Sequence, residues 1–314
     1  MGRRAVVAIG GNSLIKDRYH QTVRDQYIAA AETTGHIVTM IRDGWDVTIT
    51  HGNGPQVGFI LRRSELAAHE LHEVPLDVCG ADTQGAIGYA LQQSLQNRFD
   101  GLGLDRRAVT VVTQTEVSAD DPAFGAPTKP IGSYMEAEEA HRREREEGWS
   151  VMEDAGRGWR RVVASPLPKR IVEIDAIRAL LDRGFVVIAA GGGGIPVVAR
   201  EGGLEGVAAV IDKDFATSLL ANEIDAELFV ISTAVQKVAL EFGTERQRDV
   251  DVMTASEARG YLQEGRHFAP GSMAPKIQAC LWFLERGGGT ALITDPDHLE
   301  AAMAGESGTR IVPG

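Results

Sequence analysis

Cysteine is almost absent from this chain: Cys79 and Cys280 are the only two in 314 residues. Two thiols cannot build a disulfide framework, and neither lies in a CxxC or histidine-rich spacing, so a structural zinc site is also excluded. Long apolar runs are missing as well. No stretch reaches the length of a membrane span, and the opening MGRRAVVAIGG enters a strand without a signal-peptide core, so a soluble cytoplasmic protein is the expectation. Positive charge is outnumbered, 32 basic residues standing against 44 acidic ones. A net charge of −12 argues against nucleic acid or an acidic membrane as the main partner, though not against a nucleotide, which needs only a local cluster of cations. Two nucleotide signatures are also lacking: GGNSL after the first strand is not GxGxxG, and no Gly-Lys dipeptide occurs for a Walker A loop.

What the chain does have is glycine, placed with a pattern. Gly10-Gly11-Asn12-Ser13 follows AVVAI, Gly52-Asn53-Gly54-Pro55 follows DVTITH, and Gly191 to Gly194 follows FVVIAA. In an open α/β sheet, ligands bind beyond the carboxyl ends of the strands, where backbone N–H groups and helix N-termini can face an anion. Three such turns suggest a phosphate site. Apolar runs at about 5–9, 46–50, 109–113, 185–190, 228–232 and 290–294 alternate with helix-period segments. The expected fold is therefore α/β, a three-layer αβα sandwich around a mainly parallel sheet, in a single domain spanning 1–314. Pro55, Asp212 and Pro275 each mark a helix start close to a glycine turn or a lysine, and Gly287 marks a stop.

Residues 118–172 break that rhythm with proline, glycine and charge, and suit a protruding subdomain that swings as a lid. Within it, EAEEAHRREREE reads as a solvated helix face. Lysine usage is the second clue: of the 32 basic residues only six are lysine, at 16, 129, 169, 213, 237 and 276. Arginine is the routine surface cation here, so a lysine is less apt to be incidental. A compact ammonium can follow a moving phosphoryl group as a planar guanidinium cannot. Lys129, Lys213 and Lys276 stand beside Gly, Pro or Asp in turns or helix starts.

GGNSL at 10–14, HGNGPQVG at 51–58, PLDVCGADTQGAIGY at 75–89, PTKPIGSY at 127–134, GGGGIPVV at 191–198, AVIDKDFATSLLA at 209–221 and GSMAPKI at 271–277 together resemble carbamate kinase. The resemblance covers nearly the whole chain in order, and it implies the amino acid kinase fold. It further implies reversible phosphoryl transfer between ATP and carbamate, giving ADP and carbamoyl phosphate with Mg²⁺, in a homodimer. The acceptor would already be an oxyanion, which suits a chain with no obvious catalytic histidine or cysteine. The remaining burden is relief of repulsion between two anions and in-line positioning.

By the same resemblance, Gly10, Gly11, Asn12, Gly52, Asn53 and Gly54 hold the carbamate and the migrating phosphoryl group. Lys213 and Lys276 neutralise the phosphates, Lys129 reaches in from the protruding segment, and Asp214 orients the lysines. Asp212, Thr233, Ala234, Val235 and Met273 would join Lys213 and Lys276 at the nucleotide, with Asp212 a capping or Mg²⁺-side carboxylate, and the metal ligands are otherwise unassigned. The helix around Asp82 corresponds to the dimer-forming region. Three positions depart from the family pattern: Gln236 stands where an acidic residue is usual, Ala239 where an aromatic is common, and Asp82 where an apolar residue is frequent. His51 reads as a packed strand-end histidine, and Cys79 as a small buried hydrophobe. Two rival functions remain open on sequence: an enzyme of the same fold acting on a larger carboxylate, and a nucleotide-responsive binding protein without turnover.

Overall fold

The computed structural model describes residues 2–10, 14–15, 19–153 and 158–314. Its centre is an eight-stranded sheet. The spatial order is Val252–Thr254, Thr309–Val312, Thr290–Thr294, Leu228–Ser232, Arg3–Ile9, Trp45–His51, Phe185–Ile188 and Arg107–Thr110. Neighbours are parallel except where Thr290–Thr294 meets Thr309–Val312. All six apolar runs seen in the sequence lie in this sheet and parallel to one another. The run at 109–113 is paired two residues earlier than read, because Thr113 turns inward to bond Gln84. The two short strands at one edge went unseen.

Alternation along Arg3–Ile9 shows why the sheet is sandwiched. Ala5, Val7 and Ile9 pack with Ile37, Leu91 and Ala302, from the helices Val23–Arg42, Leu76–Leu102 and Leu299–Ala304. Val6 and Ala8 point the other way, toward Ile177, Leu220, Ala258 and Ile277 of Ile174–Asp182, Lys213–Glu223, Ala255–Glu264 and Met273–Glu285. Every inner side chain is fully buried, so both faces of a parallel sheet are covered, as such sheets require.

Two smaller sheets sit beyond the carboxyl edge. Gly203–Gly206, Ile195–Arg200, Gln114–Val117 and Pro168–Ile171 form one of them. Lys129–Met135, Trp159–Val163 and Ser150–Glu153 form the other, with the helix Ala137–Glu147 packed on it. This last unit is narrower than the 118–172 segment singled out in the sequence, since Pro168–Ile171 pairs with Gln114–Val117 instead. Its helix is also less solvated than its composition suggests. Ala140 is fully buried, and the Arg143 guanidinium, 11% exposed, lies 3.1 Å from Glu65 of the helix Gly54–Ala67. At Gly58 of that same helix, an added Cβ would fall 2.4 Å from the Gly132 Cα, so only glycine lets the helix and the strand Lys129–Met135 approach so closely.

Candidate phosphoryl-transfer site

Because the strands run parallel, Ile9, His51, Ile188 and Ser232 end at the same edge of the sheet. The turns that leave them line one cleft of about 1220 Å³. Gly10, Gly52, Asn53, Gly54, Gly192, Thr233 and Ala234 contribute to its wall. Gly11 and Asn12 lie outside the described residues. Three helices start at the cleft, at Gly54, Lys213 and Met273, and the free N–H groups of a helix N-terminus favour an anion.

The glycine run 191–194 is demanded by its surroundings. A Cβ on Gly191 would sit 2.4 Å from His51 Nε2, one on Gly192 2.2 Å from Asn53 Nδ2, and one on Gly194 1.9 Å from Thr115 Oγ1. Two of the turns therefore pack directly on each other. Asn53, placed to cap its helix, makes no capping bond; its amide donates instead to Thr83 Oγ1 at 2.8 Å. His51 is fully buried, with Nδ1 3.1 Å from the Gly52 carbonyl, so Nδ1 carries the proton. Burial, with the nearby Lys213 cation adding to it, lowers its pKa to about 4 and leaves the ring neutral.

Three of the six lysines meet in this cleft. Lys213 Nζ donates to Asp214 Oδ1 at 2.5 Å, and Lys276 Nζ donates to Asp214 Oδ2 at 2.8 Å. Lys129 Nζ donates to Asp212 Oδ2 at 2.6 Å, while Asp212 Oδ1 accepts from the Asp214 backbone N–H at 2.9 Å. Asp212 is thus both an N-cap and a lysine partner. Each oxygen keeps a further lone pair toward the cleft that Asp212 lines, so these bonds leave open the metal-side role considered from sequence. Burial pushes the Asp214 carboxyl toward its neutral form, but the two ammoniums outweigh this and hold its pKa well below the ordinary carboxylate value. The lysines shift in opposite directions. Burial, together with repulsion from Lys276, pulls Lys213 down against the attraction of Asp214; for Lys276 burial also opposes the charge, but Asp214 outweighs it and the pKa rises. Two cations on one anion leave an uncompensated positive charge at the cleft wall.

Of the other lysines, Lys237 is paired with Asp251 and Lys169 is exposed, and Lys16 falls outside the described residues. Val235 and Met273 do not line the cleft; Met273 packs against the core. Gln236 is exposed and donates to Ser307 Oγ at 2.8 Å, and Ala239 lies half-buried in the short strand Val238–Leu240. Asp82 is exposed, whereas Cys79 is fully buried, and burial with the nearby carboxylates of Asp82 and Asp77 raises its thiol to about 11. Sequence reasoning missed Tyr134 and Arg160 of the protruding unit, Ser272, and the wall formed by Glu32, Thr33 and His36. Arg160 and Arg161 are neighbours on one strand, so they face opposite sides: Arg160 the cleft, Arg161 the Glu65 cluster. Nothing in WRRVV distinguishes them before the register is known.

A model of the amino acid kinase family matches residues 3–295. The chain is 51% identical to the carbamate kinase-like protein YahI of Escherichia coli, over 99% of both chains. It is 44% identical to a carbamate kinase of Pyrococcus furiosus over the full length of both. Among solved structures, a carbamate kinase from Giardia lamblia bound to AMP-PNP superposes with a TM-score of 0.92 at 38% identity, covering 100% of this chain and 99% of that one.

Proposed function

Since the chain belongs to the amino acid kinase family, we propose that it is a carbamate kinase, transferring a phosphoryl group reversibly between ATP and carbamate. The observation that carries this reading is the buried Asp214 carboxylate held between Lys213 and Lys276 beside the glycine turns. In the synthetic direction a carbamate oxygen attacks the γ-phosphorus, a new P–O bond forms, and the bond to the β-phosphate oxygen breaks, leaving ADP. No proton has to be removed from the acceptor. That accords with a neutral, buried His51 that neither donates to nor accepts from the cleft through Nδ1. The work left is electrostatic: cations and N–H groups, already in place, meet charge that spreads over the transferring group. In the physiological direction we favour ATP formation from carbamoyl phosphate.

Mg²⁺ belongs to this reading as a companion of the nucleotide. The described residues contain no cluster of three or more histidine, cysteine or acidic side chains that could hold a metal. Magnesium commonly binds through substrate phosphates with few protein ligands, so the donor set fits an ion that arrives with ADP or ATP. Lys129 and Arg160 approach the cleft from the protruding unit, and we read that unit as a lid over a reactive acyl phosphate. We also propose a homodimer through the helix Leu76–Leu102, which exposes Val78 at 42% and Tyr89 at 56% beside Asp82. Use of ADP and ATP accords with a cytoplasmic enzyme, and no helix among the described residues is long and apolar enough to cross a membrane.

The test is an acceptor panel. With ATP, Mg²⁺ and a coupled ADP readout, carbamate should be phosphorylated, acetate slowly, and N-acetylglutamate and aspartate not at all, because two glycine turns bring backbone against the acceptor. Efficient turnover of either amino acid derivative would transfer the assignment to a larger carboxylate.

A further inference from the structure

The side chain of Gln84 lies deep beneath the cleft, 1% exposed, on the helix Leu76–Leu102. Its amide is saturated by backbone. Oε1 accepts from the Thr113 N–H at 2.8 Å, while Nε2 donates to the Thr113 carbonyl and to the Gly191 carbonyl, both at 3.0 Å. One side chain thus ties together the ends of two sheet segments and the glycine run that follows Phe185–Ile188.

The bond to Gly191 has a directional effect. No peptide bond among the described residues is cis, and in a trans planar peptide the carbonyl and the N–H point to opposite sides. With the Gly191 carbonyl drawn down onto Gln84, the N–H of Gly192 faces the other way, and Gly192 is the member of the run that lines the cleft. That N–H has no acceptor among the described residues, although Gly193 and Gly194 donate to Ala190 and Gly191. A buried donor without a partner is costly unless a ligand supplies one.

We infer that Gln84 is a positioning residue of the reaction: it holds the Gly191–Gly192 peptide so that the Gly192 N–H donates to an oxygen of the transferring phosphoryl group. Its neighbour Thr83 acts in parallel, since it accepts from Asn53 and holds the second glycine turn. Consecutive residues of one helix therefore set two walls of the anion site. The inference rests on the carbamate kinase reading, because it needs a phosphoryl oxygen at the cleft.

Gln84→Met keeps the volume and removes all three bonds. The control is Gln92→Met, two turns along the same helix, where Oε1 accepts from the Thr110 N–H at 2.8 Å without touching the glycine run. For ATP formation from carbamoyl phosphate, kcat of Gln84→Met should fall at least about tenfold per folded molecule, with the KM for ADP nearly unchanged, as for a misaligned oxyanion donor. Gln92→Met should keep both constants. Equal kinetics in the two variants would overturn the inference, while an inactive wild type would overturn the underlying reading instead. Whether or not Gln84→Met folds, the wild-type enzyme gives an independent result. The Gly192 amide resonance should shift and its hydrogen exchange should slow when inorganic phosphate is added with MgADP, and an amide that responds to neither contradicts the assigned direction.

Discussion

Lys276 donates to Asp214 at 2.8 Å across 62 positions of sequence, joining the first turns of two helices that start at the same edge of the sheet. Asp214 is 3% exposed and also holds Lys213, so its charge serves two buried ammoniums at once. Removing one member of a buried ion pair leaves the others uncompensated and costs about 3–5 kcal/mol. Asp214→Asn, which preserves shape, should therefore lower stability by that order in urea unfolding and cut kcat by about two orders of magnitude. Normal stability with normal turnover would show that the lysines need no shared anchor.

Lys213→Ala removes a cation whose value rises as charge spreads in the transition state. Its kcat should fall by about two orders of magnitude or more, while ADP binding, measured by calorimetry, suffers much less. Near-native turnover would take Lys213 out of the catalytic set.

The protruding unit leaves the rest of the chain at neighbouring positions, although Ile131 and Val163 pack with Val57 and Cys79. Val117 lies opposite Pro168 in an antiparallel pair, so a short turn can join these positions in place of residues 119–166. The shortened protein should fold and bind ADP yet make little ATP, and Lys129→Ala in the full chain should reproduce much of the loss. Near-normal activity in both proteins would make the unit a passive insertion. Gly58→Ala offers a gentler displacement, since its methyl group would meet the Gly132 backbone rather than a side chain that can yield. The KM for carbamoyl phosphate should rise while that for ADP stays.

His51 carries the pH dependence. Its folded-state pKa of about 4 lies below the ordinary 6.5, so the unfolded chain binds one more proton between these values. Stability should accordingly be full above about pH 6.5 and fall as the pH drops toward 4, by about 3 kcal/mol from this group. Urea unfolding across that window should show the slope in the wild type and a shallower one in His51→Gln. Parallel slopes would place the proton uptake elsewhere.

Much of the architecture was legible because parallel strands buried on both faces are continuous apolar runs. The inner strands Arg3–Ile9, Trp45–His51, Phe185–Ile188, Leu228–Ser232 and Thr290–Thr294 are of this kind. The edge strand Val252–Thr254 and its neighbour Thr309–Val312 are short, and the strands beside them decide them rather than their own residues. At the site, scarce lysines beside turn residues pointed to Lys129, Lys213 and Lys276, all of which line the cleft. Pairing was not legible: that Asp212 serves Lys129 whereas Asp214 serves the other two depends on a contact across 83 positions, which brings Lys129 to the N-cap of the helix Lys213–Glu223. Arg160 was hidden for a related reason, since only register separates it from Arg161.

The central claim is that this cleft moves a phosphoryl group between carbamoyl phosphate and ADP. Its most direct test is to mix the protein with ADP, Mg²⁺ and carbamoyl phosphate and to follow ATP with luciferase, beside Lys213→Ala and a protein-free control. The account predicts ATP formation far above the spontaneous background in the wild type and near-background formation in the variant. Background-level ATP from the folded wild-type protein, at saturating concentrations of both substrates, would contradict it.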